Sequence, residues 1–221
     1  MSASQASPGS RPPSAAAWSY AETWLDDTEA VRAARARAED LGVTPVTQAA
    51  ANVLTLLASS IRAGAVVEVG TGTGVSGAAL LAGMTEDGIL TSIDVEAENQ
   101  RAARDVFTAM GVDHVRTRLI AGRALDVLPR LTDAAYDIVF ADGDPAEYPA
   151  ILAQAERLLR PGGLVVFSDV LGTSDLADPG QRDADTVALR DVAHALRDDE
   201  AWVPALLTVG SGMLVATRVG A

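Results

Sequence analysis

The apolar positions of this chain follow two alternating rhythms. Short β-branched runs recur at residues 66–69, 89–94, 115–120, 136–141 and 164–167, and each reads as a strand buried on both faces. Stretches of helical period separate them: residues 78–84, 96–110 before Gly111, 124–131, 146–159 before Pro161-Gly162-Gly163, and 183–197. Regular alternation of this kind predicts a parallel sheet with crossover helices. Two final apolar runs, 202–209 and 213–219, are separated only by Gly210-Ser211-Gly212. That gap is too short for a crossover and predicts an antiparallel hairpin. Upstream, residues 18–40 read as one helix ended by Gly42, and Pro45 opens a second, running to Arg62 with Thr44 as N-cap. Residues 1–17 are rich in Ser, Ala, Pro and Gly with one charge, Arg11, which predicts a mobile tail. The expected organisation is a tail (1–17) and one domain (18–221), made of N-terminal helices (18–62) and an α/β core (63–221).

The rhythm breaks most sharply after the first strand. Val66-Val67-Glu68-Val69 runs into Gly70-Thr71-Gly72-Thr73-Gly74, and Ser76 opens an apolar helix. Glycines let the backbone take φ > 0 and let a ligand approach the main chain, and the free N–H groups of the helix start then face it. Two ligand classes fit. Gly72-Thr-Gly74-Val-Ser-Gly77, with Asp94 downstream, reads as the dinucleotide G-x-G-x-x-G pattern. However, the strand ends one Gly-x step earlier, at Gly70, and Glu68 inside the strand is foreign to that pattern, since burying a carboxylate is costly without partners. The E-x-G-x-G-x-G form resembles instead motif I of class I S-adenosylmethionine (SAM) methyltransferases, where Glu68 would be a ligand-side acid near the cofactor's amino-acid moiety.

In open α/β sheets ligands bind outside the carboxyl ends of the strands. Those ends carry Gly70-Thr71, Asp94-Val95, Gly122-Arg123-Ala124, Asp142-Gly143-Asp144 and Ser168-Asp169. Asp94 is placed to accept ribose hydroxyls or to cap the next helix, or both. Gly122-Arg123-Ala124 is an adenine-side segment or an ordinary turn. Asp142 and Asp144 are substrate or metal candidates or turn acids. His114 and His194 read as solvated or capping residues, and no catalytic-triad or metal-type histidine spacing occurs.

Composition narrows the classes. A net charge of −13 argues against nucleic acid. No apolar run is long enough to span a bilayer, and no signal-peptide pattern is present, so a soluble cytoplasmic protein without a membrane partner is expected. Cysteine is absent, which removes disulfides, thiolate ligands and a cysteine nucleophile. All 17 basic residues are arginine. Three of the nine aromatic residues (Trp18, Tyr20 and Trp24) crowd the first helix, either packing it onto the body or forming a lid or dimer contact.

Taken together, several segments resemble one family, the catechol and caffeoyl-CoA type O-methyltransferases of the SAM-dependent class I fold, and among them the bacterial members. The segments are Glu68-Val-Gly-Thr-Gly-Thr-Gly, Ile93-Asp94, Gly122-Arg-Ala-Leu-Asp-Val-Leu-Pro, Tyr136-Asp-Ile-Val-Phe-Ala-Asp-Gly-Asp and Leu158-Leu-Arg-Pro-Gly-Gly-Leu-Val-Val-Phe-Ser-Asp-Val. The resemblance runs from about Val43 to the C-terminus. It implies a Rossmann-like α/β fold of seven strands, five parallel plus the hairpin. It implies a SAM pocket of Val43, Glu68, Gly70, Thr71, Gly72, Ser76, Asp94, Val95, Gly122, Arg123, Ala124, Asp142 and Asp144, with Asp142 and Asp144 as the catalytic candidates. The expected reaction is methyl transfer from SAM, leaving S-adenosylhomocysteine (SAH), to a hydroxyl of a small, phenolic acceptor. Homodimerisation is also implied, and residues 171–182 with the N-terminal helix would form a lid. A non-catalytic SAM-binding module and an NAD-dependent reductase are the alternatives.

The chain departs from the metal-dependent relatives in two places. There, two acids and an asparagine hold a divalent cation, and a lysine just after the Asp-x-Asp removes the acceptor proton. Here Asp142 and Asp169 stand at the acid positions, but Val170 stands at the asparagine position and Pro145 at the lysine position. No lysine elsewhere can substitute, and arginine does not deprotonate. The expectation is therefore no metal, with Asp142 or Asp144 as base.

Overall fold

A computed structural model describes residues 13–172, 176, 178 and 180–220. The expected seven-stranded sheet is present: β1 (Ala65–Val69), β2 (Ile89–Asp94), β3 (Thr117–Ala121), β4 (Tyr136–Ala141), β5 (Leu159–Phe167), β6 (Trp202–Leu207) and β7 (Met213–Arg218). Their spatial order is β3-β2-β1-β4-β5-β7-β6. Strands β1 to β5 are parallel, and β7 pairs antiparallel with both β5 and β6. The chain winds outward from β1 to β3, then crosses back to β4, so the sheet reverses direction between β1 and β4. That switch point is where such sheets open a crevice.

Strand periodicity divides the core in two. Val66, Leu90, Ile138, Phe140, Val166 and Val215 face one layer of helices; Val67, Val69, Ile93, Val139, Ala141, Val165 and Phe167 face the other. The first layer comprises α2 (Glu29–Leu41), α3 (Gln48–Ser60), α4 (Val75–Gly83) and α5 (Ala97–Ala109). The second comprises α6 (Ala124–Val127), α7 (Tyr148–Leu158) and α8 (Ala184–Asp198), the last N-capped by Asp183. No described helix is long and apolar enough to cross a membrane.

Several boundaries differ from the sequence expectation. Residues 18–40 are two helices, α1 (Ala15–Glu22) and α2, because Thr28 caps a new start by accepting from Val31 N. Helix α1 begins at Ala15, N-capped by Ser14, inside the segment expected as tail; residues 1–12 of that tail lie outside the described residues. Helix α3 begins at Gln48 under Thr47, not at Pro45 under Thr44, which leaves residues 43–46 outside any helix or strand. Val43 N donates to Ala38 O, and Arg35 Nη1 to Val46 O at 2.6 Å, holding that segment. Strand β5 reaches back through Pro161-Gly162-Gly163 to Leu159, with a register irregularity against β4. A single 3-10 turn at His114–Arg116 takes up the start of the third predicted strand.

Candidate active site

The carboxyl ends of β1 to β4 open into a cleft of about 480 Å³ lined by Val43, Val69, Gly70, Gly72, Ile93, Asp94, Val95, Asn99, Gly122, Arg123, Ala124, Asp142, Gly143, Asp144 and Glu147. Ten of the thirteen residues expected from sequence are in that wall. Thr71 and Ser76 line an adjoining cavity of about 40 Å³, together with Val43, Gly70, Gly72, Thr73 and Asp142. The remaining one, Glu68, lines neither.

The glycine turn has the geometry its sequence demands. Gly70, Gly72 and Gly74 all have positive φ (90°, 48° and 90°). A Cβ on Gly70 would stand 2.2 Å from the Asp142 carbonyl oxygen, so only glycine lets β1 and β4 close at this point. A Cβ on Gly72 would meet Val43 at 3.3 Å, so residue 43 sits directly over the turn. Gly70 N donates to Ile93 O and Asp142 N to Val69 O, both at 2.9 Å, so the strand ends forming the cleft are locked together.

Asp94 is held by three donors. Its Oδ2 accepts from Gly72 N (2.9 Å) and Asn99 Nδ2 (3.1 Å), and its Oδ1 from Glu96 N (2.8 Å). A carboxylate has about four acceptor sites, so about one stays free for a ligand. The N-cap of α5 is Glu96, so Asp94 serves the turn before that helix rather than its cap. On the far wall, Arg123 pairs with Glu147 at 3.2 Å.

Glu68 is fully buried beneath the turn. Its position in β1 puts it on the face of Val66, against α4 and α5, where only neutral polar groups meet it. Ser76 Oγ donates to Oε1 at 2.6 Å and Ser92 Oγ to Oε2 at 2.5 Å. Ser92 in turn lies 2.6 Å from Thr71 Oγ1, which accepts from Gln100 Nε2 at 2.9 Å. Gln100 also donates to the Ser92 and Ile120 carbonyls. Burial pushes the Glu68 carboxyl up to about 7 despite the two serines. Ser92, Asn99, Gln100 and Glu147 escaped the sequence reading. Gln100 left a signal: it falls on the apolar stripe of α5 with Ala103 and Phe107.

At the other end, Asp142 is half-buried and Asp144 exposed. Burial raises Asp142 to about 6; Ser168 opposes the rise by hydrogen bonding, and Asp169 adds to it. Asp144 Oδ1 accepts from Ala146 N at 3.0 Å, capping a one-turn 3-10 helix that starts at Pro145. Tyr148, beneath them, donates to the Ala141 and Ser168 carbonyls, and burial drives its hydroxyl upward, so it stays protonated. Asp169 adopts φ 55°, a left-handed conformation unusual outside glycine. Val170 is buried at 1% exposure among Phe167, Leu189 and Leu214. No group of three or more His, Cys, Asp or Glu side chains that could hold a metal occurs among the described residues. Both histidines are exposed, and His114 stands 3.1 Å from Asp113. Residues 173–175, 177 and 179 of the expected lid lie outside the described residues.

A family model described as O-methyltransferase matches residues 21–219. The chain belongs to the O-methyltransferase family. Mycobacterium tuberculosis (strain ATCC 25618 / H37Rv) carries "Probable O-methyltransferase Rv1220c", 46% identical over 201 residues, 91% of this chain and 90% of that one. A relative from Mycobacterium sp. (strain JLS) is 47% identical over 211 residues, covering 95% and 96% of the two chains. Among solved structures, a Corynebacterium glutamicum protein superposes with TM-score 0.84 at 32% identity, over 92% of this chain and 95% of that one. The O-methyltransferase TomG from Streptomyces achromogenes, solved in complex with SAM, gives 0.83 at 28% identity, over 91% and 95%. This O-methyltransferase is an enzyme of the SAM-dependent class, and neither the reductase nor the non-catalytic reading is favoured.

Proposed function

We propose that this O-methyltransferase methylates a phenolic hydroxyl of a small molecule, with the cofactor lying along the cleft between Asp94 and Asp142 and with no divalent metal. The observation that carries the cofactor's placement is the cleft itself. Its floor is glycine backbone where side chains cannot fit, its β2 end offers one free acceptor site on Asp94, and Val95 and the 122–124 segment flank the space for a base. These residues suit an adenosine and an amino acid joined through a sulfur. Bound there, SAM would supply an electrophilic methyl on a sulfonium. The chain's own task is to align the acceptor oxygen with that methyl, exclude water and take the acceptor proton.

Asp142 is the base this reading assigns. It faces the cleft, whereas the Asp144 carboxylate is engaged on Ala146. Its raised value lies closer to that of a phenol, about 10, than an ordinary carboxylate does. The residues do not fit a divalent cation: Val170 offers no side-chain oxygen and is packed into the core. Titration with SAM and SAH, followed by a methyl-transfer screen over phenols read by mass spectrometry, tests the reading. Methylation of amines or carbon acids with no oxygen product would overturn it.

The enzyme is further proposed to be a homodimer through its N-terminal region. Helix α1 buries none of its residues, and Trp18, Tyr20 and Trp24 are 47%, 69% and 65% exposed. Trp18 and Trp24, with Leu25, Leu56 and Leu206, border an apolar groove of about 990 Å³ beside edge strand β6. An eight-residue helix has little stability alone, and a second copy would cover it. Light scattering should give a dimer for the full chain and a monomer after deletion through Asp40; a monomeric full chain refutes this.

A further inference from the structure

The polar chain under the glycine turn has a direction. Gln100 Nε2 stands within hydrogen-bond distance of Thr71 Oγ1 and of the Ser92 and Ile120 carbonyls, and shares its two hydrogens among them; an amide nitrogen does not accept, so the Thr71 hydrogen is not directed to it. The contact between Thr71 and Ser92 can be donated from either oxygen; with Thr71 as the donor, the single Ser92 hydrogen goes to Glu68 Oε2. In that arrangement Oε2 is an acceptor in either charge state of Glu68. Any proton the carboxyl carries then sits on Oε1, facing Ser76 Oγ at 2.6 Å.

Ser76 thus has two states. Beside ionised Glu68 its hydrogen is held by Oε1. Beside neutral Glu68 it accepts from Oε1, and its own hydrogen turns to the small cavity it lines. That cavity lies at the N-terminal end of α4, where anions are favoured. It also holds the Thr73 hydroxyl, which is 1% exposed and has no hydrogen-bond partner among the described residues. A buried hydroxyl without a partner costs about 1–3 kcal/mol, and an acceptor on a ligand would satisfy it.

We infer that Glu68 is a positioning residue that acts through Ser76 on the carboxylate end of the bound cofactor, and that Glu68 takes up a proton from solvent when the cofactor binds. This rests on the cofactor reading above. On binding, one proton leaves solvent and one O–H bond forms at Oε1; that O–H donates a hydrogen bond to Ser76 Oγ, whose own O–H donates a hydrogen bond to the ligand carboxylate, and no other covalent bond changes. The charged groups facing Glu68 favour this. Asp94 at the end of β2 and Asp142 at the end of β4 are both acids, and each opposes its ionisation. Helix α4 contributes no charge, and Glu98, Arg101, Arg104 and Asp105 of α5 are exposed to solvent. Since burial raises Glu68 to about 7, the free protein carries it largely ionised above that pH and a ligand must bring the proton with it.

The test is calorimetric titration of the full chain with SAH in phosphate and in Tris, whose ionisation enthalpies differ, between about pH 6 and about pH 8.5. Uptake should rise toward one proton per ligand at the alkaline end, and affinity should fall there by about tenfold per pH unit. Glu68→Gln keeps the shape and cannot titrate, and its uptake should be lower by that proton. Equal uptake in the two proteins overturns the inference. Should the glutamine variant fail to fold by circular dichroism, Ser76→Ala gives the reading: weaker binding without the alkaline uptake is expected, and uptake that persists overturns it. Failure of the wild type to bind SAH at any pH would instead overturn the cofactor placement.

Discussion

The two ends of the cleft are built on different principles. The β1–β2 end is made of backbone: three glycines at positive φ, strand-end amides locked to neighbouring carbonyls, and one acid held by three donors. Beneath it runs a continuous polar chain from Gln100 to Glu68. The β4–β5 end is made of single side chains on strand tips. Asp142, Asp144 and Asp169 lie there, Asp144 caps a turn, and Asp169 has φ 55°. A backbone site constrains many residues at once, so the fold carries it unchanged. A site of separate side chains can change its chemistry by substitutions such as Val170 and Pro145 that leave the sheet intact.

The largest effect expected is at the second end. Asp142→Asn keeps the shape and removes the proposed base, so kcat should fall by about 10²-fold or more, while affinity for SAH changes far less. The wild-type profile carries a signature of its own. The base acts ionised and burial raises it to about 6, so kcat/KM should climb as pH rises through about 6, and the asparagine variant should lack that limb. Loss of SAH binding with kcat intact would assign Asp142 to the cofactor end and dissolve the distinction.

The same difference explains what the sequence could tell. Strands buried on both faces are nearly continuous apolar runs, and the glycine turn is one contiguous string, so the sheet and the first end were legible without coordinates. Gln100 and Asn99 were not, because they join the site from the inner face of α5, at sequence separations of 29 and 5 from Thr71 and Asp94. The break between α1 and α2 falls at residues 23–28, where Thr28 is a cap signal outweighed by the alanine- and arginine-rich run after it, which suits helix. Pro45 is a good first helical residue by local preference, yet tertiary packing keeps residues 43–46 out of the helix, where they close over the turn.

A smaller effect belongs to the first end. Asp94→Ala removes a charged acceptor, a loss of roughly 1.5–3 kcal/mol, so SAH should bind more than tenfold weaker in calorimetry. Since Asp94 lies at the far end from Asp142, kcat at saturating SAM should be nearly unchanged. A variant that loses kcat and keeps its affinity would mean that the two ends do not divide binding from chemistry.

The smallest effect expected is none, and it bears most directly on the second end. Magnesium demands near-octahedral oxygen geometry and keeps several waters, so a protein site holds it through few ligands and loses it when one goes. In the metal-dependent relatives resembled by the sequence an asparagine stands at the position of Val170. Val170 is instead packed among Phe167, Leu189 and Leu214, where its methyl groups support the core. Restoring the amide by Val170→Asn would bury a polar group at a cost of about 1–3 kcal/mol unless a partner met it. Asp142 is instead met by a hydrogen bond from Ser168. Methyl transfer should therefore proceed at the same rate in EDTA as in magnesium, once a phenolic acceptor has been found by the screen. Activity that disappears with chelator and returns with magnesium would show that Asp142 and Asp169 hold an ion without the third ligand, and Asp142 would then be a metal ligand rather than a base.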